Sequence, residues 1–270
     1  MIDPFPGAHP KVSTQTNAIR KAATLLLVKP GRPVEIFMLQ RPGRGTFPNL
    51  HVFPGGKVDA GDDGLEARCR GLDDVEASRT LGLERGGLRY WVTAIRECFE
   101  ECGVLLAYRA DLTLFAAADA VEAARFDGYR NALADGGLHL PTMLEREGLH
   151  LATDRVRYFS HWITPPSAPA RFDTRFFITE MPPGQEAIGH RHETVSGSWV
   201  TASQALAHHE AERWQMIHPT LTTLETVARY ADAETLLHDV DERRHIRDIG
   251  ANQSEQGMQR PAFLRRPELR

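Results

Sequence analysis

Short apolar runs separated by turn residues mark the first strands of the chain. Ala23–Val28 and Glu35–Gln40 have the length and composition of strands, and residues 29–33 between them contain two prolines and a glycine. We therefore predict a hairpin at the start of a sheet. A third strand is predicted at Leu50–Phe53, where Pro54-Gly55-Gly56 stops the apolar run.

The clearest helical pattern covers residues 91–102. Apolar residues recur there every three or four positions, at Trp91, Ile95, Cys98, Phe99 and Cys102. Gly103 follows at the position where many helices end in a left-handed glycine. Residues 61–90 lack a clean period, and we interpret them as an inserted surface segment.

Beyond this helix, strand-like and helix-like patterns alternate. The predicted strands are Val104–Tyr108, Tyr158–Ile163, Phe176–Thr179 and a short one around Trp199-Val200. The predicted helices are residues 117–135, 141–148 and 202–238, the last with a break at Pro219. Strands at both ends of the chain with helices between them predict an α/β fold.

The order of these elements predicts one elaborated domain in the 270 residues. We assign it to residues 1–240, with an insertion at 63–90, a helical addition at 111–150 and C-terminal helices at 202–240. Residues 241–270 are charged and contain two prolines, so we predict a flexible tail there.

Composition and charge narrow the class of protein. Hydrophobic residues make up 41% of the chain and charged residues 25%, as in globular proteins with a buried core. The net charge of −4 weighs against a basic surface for nucleic acid. No apolar run reaches the ~18 residues of a membrane span, and no leader pattern opens the sequence. Three cysteines, Cys69, Cys98 and Cys102, cannot form a disulfide framework, so we expect a reducing, cytoplasmic location and no membrane partner.

Arginine is unusually frequent among the basic residues. Only Lys11, Lys21, Lys29 and Lys57 are lysines, so 28 of the 32 basic residues are arginines. Arginine suits bidentate contact with phosphate, but a codon bias that also enriches alanine and glycine explains the excess more simply. The excess alone therefore assigns no function.

Three glutamates form an acidic patch on the helix at 91–102. Glu97, Glu100 and Glu101 lie opposite the apolar stripe at i, i+3 and i, i+4 spacings. Like charges at these spacings destabilise a helix by about 0.2–0.5 kcal/mol per pair. The patch is either a solvated acidic face or a carboxylate cluster for Mg²⁺ or Mn²⁺, which take oxygen ligands.

The glycine turn and the acidic helix together resemble a known motif. Residues 54–62, Pro-Gly-Gly-Lys-Val-Asp-Ala-Gly-Asp, lead after a spacer into residues 96–104, Arg-Glu-Cys-Phe-Glu-Glu-Cys-Gly-Val. This order is similar to the Nudix box, G-x5-E-x7-R-E-U-x-E-E-x-G-U, in which U is a bulky apolar residue. Gly56 matches the opening glycine, and positions 96, 97, 100, 101, 103 and 104 match in place.

The chain departs from the Nudix pattern at two points, and the second one indicates a branch of the family. Asp62 stands where the family has its first glutamate and is one methylene shorter. The spacer between Asp62 and Arg96 has 33 residues instead of seven, an insertion of 26. An interrupted box of this kind is similar to the branch that contains the mitochondrial and peroxisomal coenzyme A diphosphatases of animals. Residues 39–41 and 47–56 resemble the approach strand of that branch, and residues 160–166 followed by 171–177 resemble its second signature.

The resemblance implies a fold, a cofactor and a set of site residues. The fold would be a Nudix-type α/β/α sandwich with a mixed sheet and helical insertions. The metal, Mg²⁺ or Mn²⁺, would be held by Glu97, Glu100 and Glu101, with Arg96 and Gly103 as structural support. The general base differs among Nudix enzymes, so the box does not name it. Glu193, in a loop of the second half, and Glu100 are the two candidates.

Several other residues are candidates for contact with substrate. They are the glycines of the turn, Gly55 and Gly56, and the arginines Arg41, Arg44, Arg171 and Arg175. For the arginines the alternative is exposed salt bridging. Phe47, Trp162 and Phe172 are candidates for stacking on a base, with core or rim packing as the alternative.

By resemblance the reaction would be metal-dependent hydrolysis of a nucleoside diphosphate linked to another moiety. The leading substrate is coenzyme A or acyl-coenzyme A, giving 4′-phosphopantetheine and adenosine 3′,5′-bisphosphate. Alternatives are ADP-ribose, a dinucleotide or a nucleotide sugar, an RNA 5′-end, or a non-catalytic Nudix module that senses a nucleotide. We expect a small-molecule nucleotide substrate and no nucleic-acid partner, and the sequence leaves a homodimer open.

Overall fold

A computed structural model describes residues 18–43, 48–168, 170–190 and 194–242. The strands are β1 (Arg20–Val28), β2 (Glu35–Gln40), β3 (His51–Val52), β4 (Gly55–Lys57), β5 (Ala107–Tyr108), β6 (His150–Leu151), β7 (Arg157–Ile163), β8 (Phe172–Glu180) and β9 (Ser196–Thr201). The helices are α1 (Asp74–Leu81), α2 (Leu88–Cys102), α3 (Ala120–Ala134), α4 (Leu140–Glu147), α5 (Ala202–Glu210), α6 (His218–Val227) and α7 (Ala233–Glu242).

The main sheet is mixed and is organised around β1. It has seven strands in the described residues, with the path β3-β2-β1-β8-β7, while β4 pairs with β1 and β9 pairs with β2. β1 runs parallel to β8 and antiparallel to β2 and β4. A parallel pair needs a crossover connection, and here the chain between β1 and β8 includes α1–α4.

Both faces of the sheet are covered, which explains why β1 is apolar without alternation. Ala23, Leu25 and Leu27 point into a core formed with α1–α4. Leu26 and Val28 point into a second core formed with α5–α7. Each leucine is fully buried, which contributes about 1.5–3 kcal/mol per side chain. The predicted α/β/α sandwich with a mixed sheet is confirmed.

Helix α2 begins three residues earlier than the sequence predicts and ends where it predicts. Its apolar stripe is buried, and the indole Nε1 of Trp91 donates to the carbonyl of Val156 at 2.8 Å. Gly103 follows the helix with φ of 74°, the left-handed conformation that glycine adopts without strain. The carboxylates of the box are therefore carried on a helix with a fixed end.

The segment before α2 is more ordered than a surface insertion. It forms α1, whose Ala77 and Leu81 are fully buried. Asp74 at the start of α1 accepts hydrogen bonds from the backbone N–H groups of Gly86 (2.8 Å) and Leu88 (2.9 Å). A carboxylate therefore caps the N-terminus of α2, where orphan N–H groups need an acceptor.

One predicted strand is shorter than expected. Only Ala107–Tyr108 of the predicted Val104–Tyr108 is a strand, paired with β6. The backbone N–H and carbonyl of Leu105 instead bond the side-chain amide of Gln185, both at 2.9 Å. A side chain thus replaces the neighbouring strand at that point.

Two further predictions concern the C-terminal tail and membrane-spanning segments. The tail predicted at 241–270 lies, from residue 243 onward, outside the described residues. Within the described part of the chain, none of the helices combines the length and apolar character needed to cross a bilayer.

Candidate active site

The glycine turn lies directly against the acidic helix. β4 pairs with the start of β1, which brings Gly55 beside Thr24 and Gly56 beside Ala23. A Cβ on Gly55 would lie 2.6 Å from the carbonyl oxygen of Ala23, and a Cβ on Gly56 would overlap the carboxylate of Glu97. Only glycine allows the backbone to approach the helix this closely.

Arg96 organises the carboxylates of the box. Its Nη1 donates to Glu97 Oε1 at 3.0 Å and to Glu100 Oε1 at 3.2 Å. Its Nε donates to Asp62 Oδ1 at 2.8 Å, and its Nη2 donates to Asp62 Oδ2 at 2.9 Å and to the Lys57 carbonyl at 2.8 Å. Arg96 thereby joins the two halves of the interrupted box across the 26-residue insertion.

Asp62 takes a structural position. Its side chain is fully buried and accepts from Arg96, from Thr93 Oγ1 at 2.8 Å and from the Asp59 N–H at 2.9 Å. With this set of partners inside the protein, the carboxylate anchors Arg96.

Glu101 and Arg41 hold the other side of the turn. The Gly55 N–H donates to Glu101 Oε2 at 2.8 Å. Arg41 Nη2 donates to the Gly55 carbonyl at 3.0 Å and lies 3.7 Å from Glu101 Oε1. The predicted residues Arg41, Gly55 and Glu101 therefore meet at one point.

Burial and neighbouring negative charge both shift the pKa of Glu97. Burial raises the pKa of its carboxyl well above the usual range, and the charges of Glu101 and Glu100 raise it further, although Arg96 opposes them. Burial also lowers the pKa of the Arg96 guanidinium, but Asp62 and the glutamates outweigh burial and keep it charged. Positive charge stabilises this group of carboxylates.

A cavity of about 1020 Å³ opens beside the carboxylates. Glu97, Glu100 and Glu101 line part of its wall, together with Arg41, Lys57 and Arg96. Another part is apolar and consists of Phe53, Trp162, Phe172, Phe176, Ile217 and Pro219. An apolar cavity with a few convergent polar groups is the usual form of a small-molecule site.

The donor set fits a hard divalent cation, since all three glutamates offer carboxylate oxygens to one cavity. In the described ranges no three Asp, Glu, His or Cys side chains converge closely enough to hold a metal ion. Arg96 instead bridges Glu97 and Glu100, and Glu101 binds the Gly55 N–H. A metal held by these glutamates would require their carboxylates to turn away from these partners.

The structure does not bring two of the predicted arginines to the cavity. Arg175 is 2% exposed and lies over the Tyr90 ring, on the face of the sheet opposite Phe176, with Nη1 donating to the Leu81 carbonyl at 3.3 Å. Arg171 Nε donates to the Thr164 carbonyl at 3.2 Å. Side chains alternate along β8, so Phe172, Thr174 and Phe176 line the cavity while Arg175 faces away.

Three predicted residues, Arg44, Phe47 and Glu193, lie outside the described residues. The other two aromatic candidates, Trp162 and Phe172, line the cavity.

The sequence patterns did not single out two parts of the site. Residues 217–220, at the start of α6, line the cavity. Arg130 of α3 is 7% exposed and donates to the backbone carbonyls of Glu100 and Glu101. One signal was available for Arg130, since an arginine inside a helix with apolar neighbours needs buried acceptors.

Comparison of the fold gives the class of protein. The crystal structure of a Nudix hydrolase from Alicyclobacillus acidocaldarius is similar, with a TM-score of 0.69 and 26% sequence identity. The alignment covers 87% of this chain and 99% of that one. Together with the residues of the box, this similarity confirms the resemblance to the Nudix hydrolase superfamily that the sequence predicts.

Comparison of sequences gives its relatives. The chain is similar to the acyl-coenzyme A diphosphatase NUDT19 of Xenopus laevis, with 24% identity over 234 residues that cover 75% of this chain and 62% of that protein. It is also similar to NUDT19 of Gallus gallus, with 27% identity over 206 residues that cover 59% of this chain and 54% of that protein. The chain thus spans between half and two thirds of the length of these relatives. The sequence matches no model of a known protein family.

Proposed function

We propose that the chain is a metal-dependent Nudix diphosphatase whose substrate is coenzyme A or an acyl-coenzyme A. The observation that carries the proposal is the cavity of about 1020 Å³, in which three glutamates of one helix and an aromatic wall face the same space. Its size suits a ligand that has a diphosphate and long, partly apolar ends. The similarity to two acyl-coenzyme A diphosphatases supports this substrate class.

The reaction is hydrolysis of the diphosphate. Water attacks one phosphorus, the bridging P–O bond breaks, and the products are 4′-phosphopantetheine and adenosine 3′,5′-bisphosphate. A bound Mg²⁺ or Mn²⁺ would neutralise phosphate charge and favour deprotonation of the attacking water. Glu97, Glu100 and Glu101 would hold it, since they are the carboxylates of α2 that line the cavity.

The remaining residues of the site have distinct tasks. Arg96, anchored by Asp62, bridges Glu97 and Glu100 at the cavity wall and would keep the two carboxylates together before a metal binds. Arg41 lines the cavity beside Glu101, where its guanidinium would contact a phosphate oxygen. Glu100 and Glu193 are our candidates for the base that accepts the proton of the attacking water. The aromatic wall would pack against adenine or an acyl chain.

A substrate panel tests this proposal. Coenzyme A, an acyl-coenzyme A, ADP-ribose and a dinucleoside polyphosphate are incubated with the protein and Mg²⁺ or Mn²⁺, and the products are identified by mass spectrometry. We expect 4′-phosphopantetheine or its acylated form from the first two. A clear preference for ADP-ribose would contradict the proposed substrate but not the diphosphatase reaction. No turnover of any diphosphate would reject the whole proposal.

A further inference from the structure

The last turn of α2 is held by a side chain from outside the Nudix box. Arg130, on α3, donates from Nε to the Glu100 carbonyl at 2.9 Å and from Nη2 to the Glu101 carbonyl at 2.9 Å. The same Nη2 donates to the Ile188 carbonyl at 2.7 Å. Arg130 therefore joins three segments: the added helix α3, the end of α2 and the chain around Ile188.

This contact meets a general requirement of helix ends. The last carbonyls of a helix have no partner within it, and positive charge near the C-terminus is favourable. Glu101 and Cys102 also accept at their carbonyls from the N–H groups of His190 and Ile188, both at 2.9 Å. The end of α2 is thus tied down on two sides, by α3 and by residues 188–190.

Two neighbouring residues support the arrangement. Asn131, next to Arg130, accepts at Oδ1 from His190 Nε2 at 2.8 Å. A Cβ on Gly103 would lie 3.1 Å from Arg130 Nη1, so the glycine that ends α2 also leaves room for the guanidinium. The motif glycine and the added helix α3 fit each other.

We propose that Arg130 is a positioning residue, which fixes the backbone of Glu100 and Glu101 and so aims their carboxylates into the cavity. The inference rests on the proposed function of those carboxylates in metal binding. It assigns a task to the helical addition at 111–150, beyond enlarging the core.

The test compares Arg130→Met and Arg130→Lys with Arg125→Met. Arg125 lies on the same helix but is exposed and pairs with Glu147 and Glu122 at the surface, so its loss controls for removal of an arginine from α3. Three quantities are measured for each variant: the melting temperature, the Kd for Mn²⁺ by calorimetry without substrate, and kcat and KM for coenzyme A at saturating Mn²⁺.

We expect Arg130→Met to weaken Mn²⁺ binding and to lower kcat, each by about 10–100-fold, as is usual when a residue that orients metal ligands is removed. KM for coenzyme A stays within about threefold, since Arg130 does not line the cavity. Arg130→Lys recovers part of both losses, because an ammonium donates to carbonyls without the geometry of the guanidinium. Arg125→Met matches the wild type.

A folded Arg130→Met variant with the wild-type Kd for Mn²⁺ and the wild-type kcat would overturn the inference. If that variant does not fold, the same comparison is decided on Arg130→Lys. If the wild type hydrolyses no diphosphate but binds Mn²⁺, the proposed function fails and the Kd comparison still decides the task of Arg130. A wild type that neither binds Mn²⁺ nor hydrolyses a diphosphate would overturn both.

Discussion

At the scale of single residues, most of the box holds its own carboxylates in place. Arg96 donates to Asp62, Glu97, Glu100 and the Lys57 carbonyl, and it is only slightly exposed. The resemblance gives these positions, but it does not say that Asp62 is fully buried. That result depends on the fold, which returns the chain to α2 after the insertion.

Arg175 shows where residue-level prediction fails. It was a candidate for contact with substrate, but the alternation of side chains along β8 turns it to the face opposite Phe172. The alternation of inward and outward side chains follows from the sequence as soon as the strand is known to begin at Phe172. The start of the strand lies four residues earlier than the sequence predicts, and the apolar pattern alone did not show it.

Gly56→Ala tests the close approach of the turn to α2. The added Cβ would overlap the Glu97 carboxylate, so we expect the free energy of unfolding to fall by about 1–3 kcal/mol. Displacement of Glu97 should also lower kcat/KM by about a hundredfold. Gly61→Ala is the matched control, since a Cβ there meets no atom within 4 Å. Equal activity of the two variants would contradict the role given to Gly56. Urea unfolding and steady-state kinetics provide both readouts.

Phe172→Ala tests the aromatic wall. The ring lines the cavity and is only partly buried, so its loss should affect binding more than folding. We expect KM for coenzyme A to rise about tenfold, because loss of a ring that stacks on a base costs about 1–3 kcal/mol. The kcat should stay within about threefold of the wild-type value. Phe172→Tyr keeps the ring and should keep KM. A fall in kcat at unchanged KM would place Phe172 in another role.

At the scale of elements, α2 is predictable because its signals are local. Its apolar stripe, its acidic face and Gly103 all lie within sixteen residues of sequence, 88–103. α1 also carries local signals, since Asp73 caps it and Gly82 ends it with φ of 69°. Its short length hid these signals among glycines and charged residues. The strand predicted at Val104–Tyr108 was too long, because the backbone of Leu105 bonds the side chain of Gln185, 80 residues away, instead of a neighbouring strand.

Asp74 links α1 to the start of α2, and its titration makes that link testable. Burial tends to raise the pKa of its carboxyl, but bonds from the Leu88 and Gly86 N–H groups outweigh burial and lower it. A carboxyl whose pKa is lower in the folded state stabilises the fold above the pKa of the unfolded chain, about 3.9. This stabilisation is lost as the pH falls through the lowered pKa.

We therefore expect Asp74→Ala to reduce the free energy of unfolding by about 1 kcal/mol at pH 7. The difference from the wild type should shrink in acid, below the unfolded pKa. Urea unfolding between pH 7 and pH 3 measures both quantities. Asp127→Ala, at an exposed position on α3, serves as the control. A constant difference across this pH range would show that the cap does not depend on the charge of Asp74.

At the scale of the whole molecule, the cavity lies where the helical addition at 111–150 and the C-terminal helices meet the sheet and α2. Leu133 and Ala134 at the end of α3 line the cavity together with Gly136, which follows the helix, and Ile217 and Pro219 line it where α6 begins. Both helices were predicted, but their contact with the cavity was not. Such a contact depends on packing between segments about 80 residues apart, which no local pattern encodes.

The proposed function is tested most directly by the rate of coenzyme A hydrolysis by the wild type and by Glu100→Gln, with Mg²⁺ or Mn²⁺ present. Glutamine keeps the shape of the side chain and removes its charge. We predict that the wild type forms adenosine 3′,5′-bisphosphate and that Glu100→Gln is slower by about a hundredfold or more, with an unchanged melting temperature. Undiminished hydrolysis by Glu100→Gln would contradict the assignment of this carboxylate to the reaction.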